Sequence, residues 1–310
     1  MNMPGLNLCF ARSAAITVAV AWGLTACGGG GGGDVISATA PAVTSASAGT
    51  PKYAQRLLLT VTGSHLDQGL AVSSAACRSI ALSTTAPLIS TASTAYYHCT
   101  VSAAGAGQFI VARASDGAAL STVPFTVPVP QVTMVVSNGA GVGGTLVIAL
   151  SPDKTPITVD NFLAYVNAGF YDGTVIHRVL PGFVIQGGGY AGPLDSNAAT
   201  PKPTNAPIAL EVDRGLSNTQ WTIAMARSSD AASATSQFFI NLADNSGTLD
   251  PSPLYGAGYA VFGSVSGSIG TVTSIVAAPC TTIPGFHLTP PIVECAPIPN
   301  VVVTSAVQSQ

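Results

Sequence analysis

The sequence predicts an all-β-dominated protein, with an N-terminal β-sandwich and a larger second domain behind a short export segment. Three observations carry that prediction. The chain has 310 residues, 47% of them apolar, which at about 150 residues per domain is enough for two cored domains. Charged side chains are scarce: 10 basic and 13 acidic residues make 7%, against roughly 25% in an average soluble protein. Short runs rich in Val, Thr, Tyr and Phe recur between Gly and Pro punctuation. The composition also excludes several classes. High apolar content with little charge is the reverse of an intrinsically disordered chain. A net charge of −3 without a Lys/Arg cluster leaves nothing to neutralise phosphates, so no nucleic-acid partner is expected. No apolar run reaches the length of a membrane-spanning helix.

Residues 1–26 are read as a signal peptide. Arg12 precedes an apolar run of about 11 residues, too short to cross a bilayer and suited to secretion. One reading is an ordinary signal cleaved near a small residue. The other rests on Leu24-Thr25-Ala26-Cys27, which resembles the lipobox of bacterial lipoproteins. That resemblance implies acyl chains on Cys27, enough to anchor the mature chain to a membrane. Gly28 lacks the acidic residue often associated with inner-membrane retention, which favours the outer membrane. Six glycines, Gly28 to Gly33, and the Ala/Ser/Thr/Pro-rich residues 34–50 then read as a flexible linker.

Export sets the redox reading. With Cys9 removed and Cys27 lipidated, Cys77, Cys99, Cys280 and Cys295 remain. Three connectivities are open, and proximity favours Cys77–Cys99 and Cys280–Cys295, one in each domain. Each would close a loop of about 15 to 22 residues and contribute about 3 kcal/mol. A metal site is the weaker rival, since there is no CxxC pair and the four histidines are scattered.

Residues 51–128 form the predicted sandwich, divided from the second domain near Pro124–Pro130. Strand-like runs at 56–61, 95–101, 107–114 and 123–127 alternate with breaks at Gly63-Ser64, Gly105-Ala106-Gly107 and Asp116-Gly117. Leu57-Leu58-Leu59-Thr60-Val61 lacks strict alternation, as in a strand buried on both faces. The whole loosely resembles immunoglobulin-like modules of bacterial surface proteins. Tyr96-Tyr97-His98 reads as strand packing.

Residues 129–310 carry the chemistry. Strands are expected at 131–136 and 145–150 around a Gly-rich turn. Pro156 then opens a helix in which Val159, Phe162, Leu163 and Val166 share a face, and Gly169 ends it. A strand at 175–180 and a second helix through Ile269, Val272, Ile275 and Val276 follow. Gly139-Ala140-Gly141-Val142-Gly143-Gly144 and Gly187-Gly188-Gly189-Tyr190-Ala191-Gly192 satisfy G-x-G-x-x-G. A dinucleotide site needs a helix next, and neither pattern is followed by one. Gly263-Ser264-Val265-Ser266-Gly267 would be a nucleophile elbow, but its middle residue is valine.

Three stretches are informative: His177-Arg178-Val179-Leu180-Pro181-Gly182-Phe183-Val184-Ile185-Gln186-Gly187-Gly188; Thr222-Ile223-Ala224-Met225-Ala226-Arg227 continuing to Ser236-Gln237-Phe238-Phe239-Ile240-Asn241; and Tyr259-Ala260-Val261-Phe262-Gly263. In order and spacing they resemble the cyclophilin family of peptidyl-prolyl cis-trans isomerases, most closely its bacterial periplasmic branch. The resemblance implies a closed eight-stranded antiparallel β-barrel capped by two helices and requires no cofactor or metal. It assigns catalysis to Arg178, Phe183 and Gln186. Substrate binding falls to Val184, Ala226, Arg227, Gln237, Phe239, Leu249 and Tyr259, with Gln186 and Gln237 holding the peptide and Ala226 and Arg227 offering backbone groups. Two positions depart from the best-known pattern: Tyr259 stands where His is common, and Thr248 where Trp is common. The first keeps an aromatic wall; the second weakens the expectation of cyclosporin binding.

The chemistry suits these residues. An X–Pro bond rotates slowly because its C–N bond has partial double-bond character, with a barrier of about 18–20 kcal/mol. No covalent bond changes, so no nucleophile, acid–base pair or metal is needed. A donor to the prolyl nitrogen favours the twisted amide, and Arg178 is such a donor. His177, Asn161, Phe162 and Met225 are read as structural. The expected partners are proline-containing polypeptides exported to the cell envelope and the membrane itself, the protein being a monomer. The alternatives are a non-catalytic peptide-binding chaperone and an envelope scaffold or adhesion lipoprotein.

Overall fold

The first strand lies where a tether is expected. The computed structural model describes residues 39–195, 198–283 and 294–310. The signal at 1–26, Cys27 and the glycine tether lie outside the described residues. Within the expected linker at 27–50, however, Ala42–Ala48 forms strand β1, paired antiparallel to β2 (Arg56–Ser64). Its small residues give no hydrophobic alternation, yet Val43, Ala46 and Ala48 pack against the core.

β2 runs straight through Gly63-Ser64, which the sequence reads as a turn. A Cβ on Gly63 would sit 1.9 Å from the Ala42 carbonyl oxygen. This glycine therefore marks the close approach of β1 and no chain reversal. Nor is β2 buried on both faces: Leu57, Leu59 and Val61 are buried, while Leu58 and Thr60 are half-buried.

Five more strands follow: β3 (Leu70–Ser73), β4 (Cys77–Leu82), β5 (Thr94–Val101), β6 (Gly105–Arg113) and β7 (Ala119–Val127). One sheet has the order β1-β2-β5-β4 and the other β3-β6-β7. Gly105, expected in a break, opens β6, and Pro124 lies inside β7. β7 is an edge of its sheet, where a missing N–H removes no ladder bond. The two sheets contribute Leu57, Leu59, Val61, Tyr97, Phe109 and Val111 to the core. The Cys77–Cys99 disulfide ties β4 to β5 across 22 residues.

The remaining strands are β8 (Gln131–Ser137), β9 (Gly143–Leu150), β10 (Thr174–Leu180), β11 (Val184–Asp195), β12 (Ala198–Pro201), β13 (Thr222–Met225), β14 (Phe238–Asn241), β15 (Val261–Gly267), β16 (Cys280–Thr281), β17 (Ala296–Pro297) and β18 (Val302–Gln308). The order β10-β18-β8-β9-β15-β13-β14-β11, with β11 pairing back to β10, closes an eight-stranded barrel; β12 hangs on β11. The pairings are antiparallel. Gly139-Ala140-Gly141 forms the hairpin turn between β8 and β9.

Helix α1 (Pro156–Asn167) starts at its proline and stops before Gly169, whose φ of 65° no helical residue adopts. Its Phe162 is fully buried against Tyr171, Phe238 and Phe262, with ring centroids 5.3, 5.9 and 5.0 Å away. Helix α2 is the single turn Ser246–Leu249, and α3 (Ile269–Val276) buries Val272 and Ile275.

Sandwich and barrel, separated in the sequence reading at 128/129, join in one compact unit, Thr39–Gln310. Gln308, at the end of β18, is buried at this seam. Its Nε2 donates to the Tyr53 carbonyl at 2.9 Å, and its Oε1 accepts from Gln55 at 2.8 Å and Asn167 at 3.2 Å. Arg78 of β4 pairs with Asp160 of α1 at 2.7 Å. The Tyr53 hydroxyl is held strongly in its neutral form by burial and by the nearby Asp160 carboxylate. Removing Gln308 would strand these donors and acceptors. We expect Gln308→Ala to lower the unfolding free energy by about 1–3 kcal/mol in chemical denaturation, with sandwich and barrel still unfolding in one transition.

Candidate active site

Strand register assembles the site. Reading across the barrel, Arg178 of β10 is opposite Gln186 of β11, Gln186 is opposite Phe239 of β14, Phe239 is opposite Ala224 of β13, and Ala224 is opposite Val261 of β15. Side chains in one register row emerge on the same face of a sheet. A cation, an amide and an aromatic ring are thereby set side by side by backbone pairing alone. Alternation explains the adjacent phenylalanines: Phe238 turns into the core beside Phe162, and Phe239 joins an outer cluster with Val184, Ala224 and Val261. His177, on the opposite side of β10 from Arg178, is buried edge-on against Tyr190 at 4.9 Å. Met225 is buried in the core, and Asn161 of α1 donates to the Thr235 carbonyl at 2.6 Å.

The row opens into a hollow of about 170 Å³ lined by Arg178, Phe183, Val184, Gln186, Ala226, Arg227, Phe239, Leu249 and Tyr259. Nine of the ten residues assigned to catalysis and substrate binding meet here. The tenth, Gln237, stands behind it: its Oε1 accepts from Gln186 Nε2 at 2.9 Å. Room for Gln237 is made by Gly189, where a Cβ would lie 2.6 Å from the Gln237 amide carbon. The glycine run that imitates a nucleotide-binding motif thus accommodates a side chain of the site.

Arg178 is held on two sides. Its Nη1 donates to Gln186 Oε1 at 3.3 Å, and its Nε donates to Glu294 Oε1 at 2.8 Å, with Nη2 on the same oxygen. Glu294 is not among the residues the sequence singles out. Its side chain is 5% exposed against 25% for Arg178, so the pair is turned from solvent on the glutamate side. A guanidinium has five N–H donors; three are engaged, and two have no partner among the described residues. Gln186, expected to hold peptide, accepts from Arg178 and donates to Gln237.

The aromatic wall is also fixed. Tyr259 meets Phe239 edge-on at 5.5 Å, and the Arg227 guanidinium lies 4.6 Å above the Tyr259 ring. Arg227 Nε further donates to the Gly258 carbonyl at 2.9 Å. The Ala226 N–H is bonded to the Gln237 carbonyl at 2.9 Å.

Behind the wall runs a chain of buried asparagines that sequence reasoning missed. Asn245 Nδ2 donates to the Phe183 carbonyl and to Asn241 Oδ1, both at 2.8 Å. Asn241 donates to Asn218 Oδ1 at 3.2 Å, and Asn218 donates to the carbonyls of Leu249 and Tyr259 at 3.2 Å. Three pocket residues are thus positioned by one amide network. Asp244 bonds Ser246 through its side chain and N–H at the start of α2, contacts that hold its carboxyl below the usual carboxylate range. A sequence signal was faintly present in Asn241, which ends the run already quoted.

A larger hollow of about 550 Å³ lies in the sandwich, lined by small residues with Ser73, Gln108 and Ile110. It is lined by no charged residue, unlike the smaller hollow, which Arg178 and Arg227 line. Among the described residues there is no cluster of His, Cys, Asp and Glu able to hold a metal. The second disulfide, Cys280–Cys295, is formed as well.

Known proteins resemble this chain in sequence over the barrel region. A model of the cyclophilin type peptidyl-prolyl cis-trans isomerase/CLD family matches residues 132–305, more than half of the chain. Peptidyl-prolyl cis-trans isomerase A of Dickeya dadantii is 49% identical over 126 residues, 39% of this chain and 60% of that protein. A peptidyl-prolyl cis-trans isomerase of Acinetobacter baylyi is 48% identical over 144 residues, covering 46% of this chain and 72% of that protein. A cyclophilin-type isomerase of Cryptosporidium parvum, crystallised in the presence of the dipeptide Ala-Pro, aligns over 58% of this chain and 99% of its own, at 21% identity and a TM-score of 0.42. By its sequence match over residues 132–305, the chain belongs to the family of cyclophilin-type peptidyl-prolyl cis-trans isomerases.

Proposed function

We propose that this chain accelerates rotation about X–Pro bonds in polypeptides exported to the cell envelope, tethered there by a lipidated Cys27. One observation carries the reading: an oriented guanidinium, Arg178, at the rim of an apolar hollow walled by Phe183, Phe239, Leu249 and Tyr259. The hollow takes the pyrrolidine ring and removes it from water. In a planar amide the prolyl nitrogen lone pair is delocalised and a poor acceptor; in a twisted one it is localised. A donor fixed beside that nitrogen binds the twisted form better than the planar one, which is the condition for lowering the barrier. Arg178 meets that condition with its two remaining N–H groups. Gln186 and Gln237 hold the cation in register, and the Ala226 carbonyl receives the peptide ahead of proline.

The envelope location rests on Leu24-Thr25-Ala26-Cys27 and on two disulfides, which persist in oxidising compartments. In this reading the N-terminal sandwich is an immunoglobulin-like module between anchor and barrel, and the protein acts as a monomer on folding clients at the outer membrane.

Three outcomes test the proposal. Arg178→Ala lowers kcat/KM for an X–Pro peptide by about 10²–10³ in a coupled isomerisation assay, and wild-type-like turnover would remove Arg178 from the mechanism. Because no proton is transferred, kcat/KM stays flat between about pH 5 and 8, whereas a bell-shaped profile would demand acid–base chemistry. Expressed in a bacterial host, the chain fractionates with membranes and Cys27→Ala releases it into the soluble fraction; an unchanged distribution would refute the anchor.

A further inference from the structure

Arg178 sits on a strand that fixes its backbone, but its long side chain has several rotatable bonds. What fixes the guanidinium is Glu294, which takes Nε and Nη2 on one carboxylate oxygen and so sets the orientation of the whole planar group. Glu294 does not come from the row of strands that builds the site. It precedes Cys295, whose N–H and carbonyl exchange hydrogen bonds with Val179, the residue after Arg178, at 3.2 and 2.7 Å. That single rung lays residue 294 alongside β10. Three ties hold the rung: the Cys280–Cys295 disulfide, the short ladder pairing Cys280 with Pro297 and Thr281 with Ala296, and a bond from Thr282 Oγ1 to the Glu294 carbonyl at 3.0 Å. Each of them runs to the segment 280–282, just beyond α3.

We propose that Glu294 is a positioning residue for Arg178 and that the Cys280–Cys295 disulfide delivers it, so that turnover depends on the oxidised state of this bond. The inference deepens the isomerase reading and rests on it. A carboxylate brought to the cation by a rung, a two-pair ladder and a covalent tie loses its fixed placement when the tie is cut, because only a few hydrogen bonds then order the segment against chain entropy. The rest of the hollow, built by β11, β13, β14 and β15, does not pass through the disulfide. Binding of the proline ring should therefore survive when catalysis falls.

The experiment measures kcat and KM of the full chain on an X–Pro peptide together with the Nε–H proton resonance of Arg178, assigned by its loss in Arg178→Lys. Glu294→Ala lowers kcat about ten- to hundredfold with KM within about twofold, and shifts the Nε–H resonance toward that of a solvated arginine. Glu294→Gln, whose amide oxygen accepts the same bonds, keeps kcat within about threefold of wild type. Cys280→Ser/Cys295→Ser lowers kcat in the same sense, and adding Glu294→Ala to it lowers kcat no further. The proposal is overturned by wild-type kcat and an unshifted resonance in Glu294→Ala, by equal loss in Glu294→Gln, or by additive effects of the two lesions. Should Glu294→Ala fail to fold, Glu294→Gln and the double cysteine variant decide by the same criteria. A wild-type protein that is itself inert sinks the isomerase reading; an active wild type indifferent to Glu294 sinks this inference alone.

Discussion

The contact between the Arg178 guanidinium and the Glu294 carboxylate is the constraint on which the proposed site turns. A cation beside an apolar hollow would, left alone, turn toward water, where it is better solvated. The buried carboxylate gives it a reason to stay, and the amide of Gln186 closes the other side. The opposing demand, that the cation keep donors for a substrate, is met because the carboxylate takes one edge of the planar group. The ion pair and its hydrogen bonds help offset the cost of placing a carboxylate at 5% exposure.

The barrel supplies the remaining precision through register. One row of opposed residues, from Arg178 through Gln186, Phe239 and Ala224 to Val261, crosses five strands. Since slippage of any strand by one residue would turn its contribution to the other face, the hydrophobic core that fixes register also fixes the site. Phe162 in α1, packed on Phe238, stabilises the inward half of the same alternation that turns Phe239 outward. Where strands end and loops begin, the network of Asn218, Asn241 and Asn245 takes over and holds the backbone of Phe183, Leu249 and Tyr259.

Much of this is legible in the sequence, and the parts that are not share a cause. Arg178, Phe183, Val184 and Gln186 lie within nine residues of one another, and the motif carries their geometry because one hairpin carries them. The α1 face and the hairpin at Gly139 follow from local rules of period and turn chemistry. Glu294 is 116 residues from Arg178 and has no local pattern to betray it. Gln308 at the seam with the sandwich, and the asparagine network, likewise act through tertiary hydrogen bonds alone. Strand β1 escaped because two of the three residues it turns to the core, Ala46 and Ala48 beside Val43, pack by smallness, which hydrophobic periodicity does not register. Gly63 misled for a related reason: absence of a side chain signals both a turn and a close approach, and only the neighbour at Ala42 distinguishes them.

The most direct test of the central claim watches the bond itself. Exchange spectroscopy on an X–Pro peptide, with the purified chain at a small fraction of the peptide concentration, reports cis–trans interconversion at equilibrium. Exchange cross-peaks between the two isomers are expected on the sub-second timescale, against tens of seconds or more uncatalysed. Peptide resonances that broaden on binding without cis–trans exchange would contradict that claim, leaving a groove that holds proline and does not turn it.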